Sequence, residues 1–194
     1  MQTYLQDKYK KEFVVKNYRI EGAGLGVEGD PTADAYPKDN PDIKFKVWDY
    51  GRPVVGPHSY DDGYLSVAWK REYIQRVRDR VVDIVGGGVK YDLSISYNRS
   101  LLLEIDFSKG VPKFSQYKDS PGTAIDLSIY GDREFTAQEV WGLLAIFKQD
   151  KIPEISFHTC TKNRRGCYSL SEEDVNRLTD VQQLEAHIGK VRRY

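Results

Sequence analysis

The chain has 194 residues, 40% of them apolar, enough for one ordinary domain or two small ones around a sizeable core. Its 29 basic and 29 acidic residues cancel, which excludes a general attraction to nucleic acid or to an anionic membrane. No apolar run approaches the ~20 residues of a membrane span, and Met1 is followed at once by polar, tyrosine-rich sequence rather than a signal peptide. The sequence as it stands is therefore expected to be soluble, with an export segment replaced by Met1 as one reading.

Residues 3–11 (TYLQDKYKK) are compatible with a helix, since Leu5 and Tyr9 share one face four residues apart. EFVVKNYRI follows, rich in strand formers, and strict alternation would put Val14, Tyr18 and Ile20 on one face. In TADAYPKDNPDIKFKVW, Pro37 to Pro41 separates two extended segments. There Ile43, Phe45 and Val47 alternate with Lys44 and Lys46, the pattern of a hairpin with one wet face. The fourteen Tyr suit such half-buried strand surfaces, with the ring packed and the hydroxyl wet.

Residues 61–85 carry the strongest helix signal. Leu65, Trp69, Tyr73, Val77 and Val81 recur every four residues, Asp61 or Asp62 can cap the start, and Gly86-Gly87-Gly88 ends it. YDLSISY (91–97) and LLLEIDF (101–107) read as strands joined by Asn98-Arg99-Ser100, and TAIDLSIY (123–130) as a further one. Thr136 to Glu139 spells a capping box with Phe135 and Val140 as its staple, opening a helix to Gln149. EISFHTC and GCYSL read as a hairpin, and Ser171 starts a last helical region to Ile188. Strands grouped between helices, without strict alternation, predict an α+β fold of antiparallel sheet segments packed by helices. Two small halves are expected: 1–110 with the 61–85 helix, and 111–194 with helix 136–149 and hairpin 153–170.

Gly24-Leu25-Gly26-Val27-Glu28-Gly29 matches the letters of a dinucleotide loop. That fingerprint needs a helix whose N-terminal amides face the pyrophosphate, whereas Asp30-Pro31-Thr32 continues extended. The glycines read as a hairpin loop, and no cofactor is expected. His58, His158 and His187 are the only histidines, and no nucleophile elbow accompanies them, so no catalytic residues are assigned. Cys160 and Cys167 lack C-x-x-C spacing. With His158 and a distant histidine they would form an unusual zinc set. Across the turn of a hairpin they would instead sit opposite each other, within disulfide reach. Lys162, Arg164 and Arg165 at that hairpin's tip form a candidate grip for phosphate or an acidic partner, beside the plainer reading of a solvated turn.

YLQDKYKKEFVV, TADAYPKDNPDIKFKVW and YDDGYLSVAWKREY together resemble small lipid-anchored surface proteins of Gram-positive bacteria, over residues 3–85. The resemblance implies a short helix after a membrane anchor, then a strand and hairpin with a helix packed across them, and it supplies no catalytic residues. The sequence lacks the export segment and the lipid-bearing cysteine of that family. The leading expectation is a non-enzymatic extracellular protein, held at the membrane through an anchor, with a protein or cell-envelope partner. The alternatives are a cytosolic small hydrolase or metal-binding module using His158, Cys160 and Cys167, or an immunity-type protein that binds one partner tightly.

Overall fold

The computed structural model describes residues 1–22, 29–51, 59–161 and 167–191. It is an α+β fold with two four-stranded sheets. The chain divides into two compact units, Met1–Trp69 with Ile105–Lys113, and Lys70–Glu104 with Phe114–Tyr194. The division drawn from sequence at 110/111 falls inside the returning segment Ile105–Lys113.

In the first unit, helix α1 (Gln2–Tyr9) buries Leu5 and Tyr9, and Lys10 in the left-handed conformation closes it by donating its N–H to the Gln6 carbonyl. Strands β1 (Phe13–Glu21), β2 (Asp30–Pro37), β3 (Phe45–Asp49) and β4 (Tyr60–Asp62) form an antiparallel meander in that order. The Pro37–Pro41 turn is held by the Asn40 N–H on the Pro37 carbonyl, 3.0 Å. Phe45 and Val47 are buried while Lys44 and Lys46 are exposed, so the wet-faced hairpin forms. Aromatic rings fill the core: Tyr64 meets Tyr9 and Phe13 edge-on, with centroids 4.8 and 5.0 Å apart.

The expected shared face of Val14, Tyr18 and Ile20 does not form. Register runs Val14↔Tyr36 and Lys16↔Asp34, then slips to Arg19↔Thr32 and Ile20↔Pro31. The slip is a β-bulge at Asn17, whose φ of 56° is left-handed, a conformation asparagine tolerates better than most residues. One extra residue reverses the alternation, so Val14 and Ile20 lie on opposite faces. Tyr18 and Ile20 are 66% and 65% exposed, while Phe13 and Val15 face the core.

Helix α2 (Tyr64–Val85) supplies Leu65 and Trp69 to the first unit and Tyr73, Val77 and Val81 to the second, all of them buried. Gly86, at φ 88°, ends it and donates its N–H to the Val82 carbonyl, as the three glycines predict.

The second unit continues through β5 (Lys90–Tyr97), α3 (Arg99–Glu104), a 3-10 turn (Phe114–Gln116), β6 (Thr123–Gly131), α4 (Ala137–Gln149), β7 (Glu154–Thr161), β8 (Tyr168–Leu170), α5 (Glu172–Arg177) and α6 (Val181–Val191). LLLEIDF, expected as a strand, supplies the end of α3 (LLLE) and the irregular segment after it. The Asn98 side-chain carbonyl accepts from the Leu101 N–H at 2.9 Å, capping the helix start. Leu101 and Ile105, four apart, are buried, while Leu103 between them is 79% exposed. Strand alternation would have put Leu101 and Leu103 on one face. Gly122, at φ 86°, lies so close to the Asn98 side chain that a Cβ would fall 2.0 Å from its Nδ2, so glycine is required there.

Without the expected second strand at 101–107, β5 pairs antiparallel with β6, and the sheet runs β5-β6-β7-β8. β6 and β7 are parallel, joined by α4 as a crossover. The capping box of α4 is complete: the Thr136 hydroxyl accepts from the Glu139 N–H at 3.2 Å, and the Glu139 carboxylate from the Thr136 N–H at 2.8 Å. Phe135 and Val140 are both buried as the staple. The last helical region breaks at Leu178–Asp180 into α5 and α6. A second capping box, Ser171 with Asp174, starts α5.

Candidate contact surfaces

The β7–β8 register pairs His158 with Ser169 and Thr159 with Tyr168. The next pair along is Cys160 and Cys167, which form a disulfide with Cα atoms 4.1 Å apart. Lys162, Arg164 and Arg165 of the intervening turn lie outside the described residues, as do residues 24–28 of the glycine loop and His58.

With both sulfurs bonded to each other, neither is available as the thiolate a zinc site requires. His158 instead lies with its Nδ1 2.7 Å from the Ser169 hydroxyl, and its ring centroid is 6.4 Å from that of Tyr130. His187 stands 3.9 Å from an Asp174 oxygen. Among the described residues no three of His, Cys, Asp and Glu gather as a metal site would require. Ser128 and Ser156 both donate to Asp126 on the same sheet face as His158. Among the described residues this is an open polar surface of the sheet.

The first sheet presents a second surface. On the face away from the core, Lys16, Asp34 and Lys46 stand in one row across β1, β2 and β3. Tyr36 on β2 lies one pleat along, beside Val14. Each nitrogen of Arg19 makes one hydrogen bond here: Nε donates to Glu21 at 2.7 Å, Nη2 to Asp34 at 2.9 Å and Nη1 to the Asn17 carbonyl at 3.0 Å. Lys46 donates to both Glu21 oxygens at 2.9 Å. Hydrogen bonds from Lys46 and Arg19 hold the Glu21 carboxyl below the usual carboxylate range, and those from Arg19 and Asn17 do the same for Asp34. Both carboxylates stay charged and compensated. Lys16 lies over the Tyr36 ring, 5.0 Å from its centroid. Together with Asn17, Lys44 and Lys46 these residues line an open groove of about 450 Å³.

Two buried carboxylates escape a reading of the sequence. Asp62 does accept from the Tyr64 N–H as a helix cap, at 3.0 Å, but it also gathers Tyr4, Lys8 and Tyr9. Asp150, at the end of α4, accepts from the Tyr73 hydroxyl at 2.8 Å and from Arg76. Burial, reinforced by that hydrogen bond, pushes the Tyr73 phenol up, so it stays neutral and donates. Nothing in local spacing announces either cluster, because the partners lie 53 to 77 residues away in sequence.

No family model and no curated protein matches the sequence. Among solved structures the chain is similar to the crystal structure of a DUF5037 family protein from Ruminococcus gnavus, with a TM-score of 0.46 and 12% identity, over 91% of this chain and 76% of that one.

Proposed function

We propose that this is a non-enzymatic protein held outside the cell on a lipid anchor, acting through contacts with a protein or a component of the cell envelope. The observation that carries the reading is the Cys160–Cys167 bond. It consumes both cysteines of the chain, and such bonds persist in oxidising compartments and are rare in the cytosol. The likeness of residues 3–85 to lipid-anchored surface proteins supports the same location. No helix among the described residues is long and apolar enough to cross a membrane, and on this reading attachment runs through the lipid.

The full-length gene expressed in a Gram-positive host, followed by cell fractionation and intact mass with a thiol alkylator, tests the proposal. The expected result is membrane-associated protein, two mass units below the reduced form and unmodified by the alkylator. Cytosolic protein carrying two alkylated cysteines would overturn it.

A further inference from the structure

We propose that the outer face of β1–β3 around Tyr36 binds a phosphate-bearing polymer that carries no bases. The inference goes beyond the extracellular reading and does not depend on it, because it rests on the charge and geometry of this face alone.

The first step is charge. The groove is lined by Lys16, Lys44 and Lys46 against one carboxylate, Asp34, and Asp34 is already held by Arg19 and Asn17. Lys46 is paired with Glu21. Neither Lys16 nor Lys44 has a carboxylate partner among the described residues. Two ammonium groups with no ion pair among the described residues therefore border a concave surface in a chain whose net charge is zero, Lys16 facing an Asp34 that Arg19 already holds, and an anion is the complementary occupant.

The second step is the kind of cation. Among the described residues Arg19 is the guanidinium of this face, and each of its three nitrogens makes one internal hydrogen bond. Its Nε and Nη2 edge is already divided between Glu21 and Asp34, so that edge is not offered to the planar carboxylates of an acidic peptide. Ammonium groups act as point charges, and they suit tetrahedral phosphate oxygens, which accept from any direction.

The third step is spacing. Lys44 and Lys46 are two residues apart along one chain segment, about 7 Å, and Lys16 stands two strands away from Lys46, about 10 Å. Anchor points at these separations match successive charges along a chain better than one small ion. Single-stranded nucleic acid has such a chain, but it gains much of its affinity by stacking bases on aromatic rings. Here Lys16 covers the Tyr36 ring, which leaves the backbone charges as the recognised feature.

The experiment is titration of the protein with short-chain inorganic polyphosphate at low ionic strength, followed by calorimetry, with poly-glutamate and oligo-dT as comparison probes. Polyphosphate is expected to bind more tightly than either, with affinity falling as salt is raised because counterions are released. The Lys16→Gln/Lys44→Gln double variant should lose about tenfold or more in affinity while its melting temperature is unchanged. The Lys11→Gln/Lys38→Gln variant, which removes cations already paired with Asp39 and Glu12, should bind as the parent does. Undiminished binding in the first variant, equal affinity for poly-glutamate or oligo-dT, or no binding of polyphosphate would each overturn the proposal. None of these outcomes bears on the disulfide or the location of the protein.

Discussion

Replacing Asp62 with asparagine removes a charge from a side chain that is 0% exposed. In the native protein one carboxylate oxygen accepts from the Tyr9 hydroxyl at 2.8 Å and the Tyr64 N–H at 3.0 Å. The other accepts from the Tyr4 hydroxyl and the Lys8 ammonium, both at 2.8 Å. An amide keeps one carbonyl oxygen, which satisfies the first pair. Its NH2 group then faces two donors. The Tyr4 hydroxyl can reverse and accept, but the ammonium cannot. Lys8, with a side chain 15% exposed, recovers only part of its hydration. A lost hydrogen bond to a charged group costs about 1.5–3 kcal/mol, and an uncompensated buried charge adds to it. Asp62→Asn should therefore destabilise by about 2–4 kcal/mol, and Asp62→Ala, which abandons all four donors, by more. Urea unfolding followed by far-UV circular dichroism measures this, with an unchanged m-value as the check on the denatured state. A double-mutant cycle with Lys8→Met should show a coupling above about 1 kcal/mol. A loss below about 1 kcal/mol for Asp62→Asn at constant m would refute the reasoning, because the cluster would then be hydrated and incidental.

Trp69 is 0% exposed and its ring N–H donates to the Pro112 carbonyl at 2.9 Å. Trp69→Ala should cost about 3–5 kcal/mol, and a loss under about 1 kcal/mol in urea would place the ring in solvent instead. Glu139 is held down to about 2, chiefly by its hydrogen bonds from Arg133 and secondarily by those from Thr136. A depressed carboxylate contributes stability above its unfolded value of 4.5 and loses it as pH falls towards 2. Because Arg133 is half exposed, solvent screening reduces the effect, and Glu139→Gln should cost about 1–2 kcal/mol near neutrality. That difference should shrink between about pH 5 and pH 3, and a pH-independent difference in thermal unfolding would show that the ion pair is not its source. Opening the Cys160–Cys167 bond, which closes a loop of sequence separation 7, should remove about 2–3 kcal/mol by the chain-entropy relation. Coincident melting curves of oxidised and reduced protein would contradict it.

What was legible in the sequence was mostly local. The four-residue recurrence from Leu65 to Val81, the Thr136–Glu139 box and the glycine stop at Gly86 each depend on neighbours within a turn or two, and each forms. The same is true of the pairing of β7 with β8, where seven residues of separation suffice to set Cys160 beside Cys167. LLLEIDF misled because Leu101, Leu103 and Ile105 satisfy strand alternation, whereas a side-chain cap from Asn98 starts a helix there instead. On β1 the alternation was real but incomplete, since one left-handed residue at Asn17 reversed it. The parallel pairing of β6 with β7 is not a property of either strand. It arises because α4 carries the chain back along the sheet, which no short window of sequence records. For the candidate site, the lysines of the 43–47 segment announced a wet face, while its pairing with Lys16 and Tyr36 required the register of three strands.

A division among the polar groups follows. Asp62 and Asp150 are buried, and both are met by donors from segments distant in sequence: Tyr4, Lys8 and Tyr9 for the first, Tyr73 and Arg76 for the second. Such clusters account for themselves, because a buried carboxylate without them would cost several kcal/mol. Glu21 and Asp34 are likewise accounted for by Arg19, Asn17 and Lys46. Lys16 and Lys44 are different. They border the groove without an ion pair among the described residues, and removing their charge takes none of the described ion pairs from the fold. Lys16 stands opposite Asp34, but that carboxylate is taken by Arg19 and Asn17, and the β2–β3 register, continued one residue, sets Tyr36 rather than a carboxylate across from Lys44. Cations left unpaired beside compensated ones are what a surface shaped for an external anion should contain, and their neutralisation should change binding while leaving folding intact.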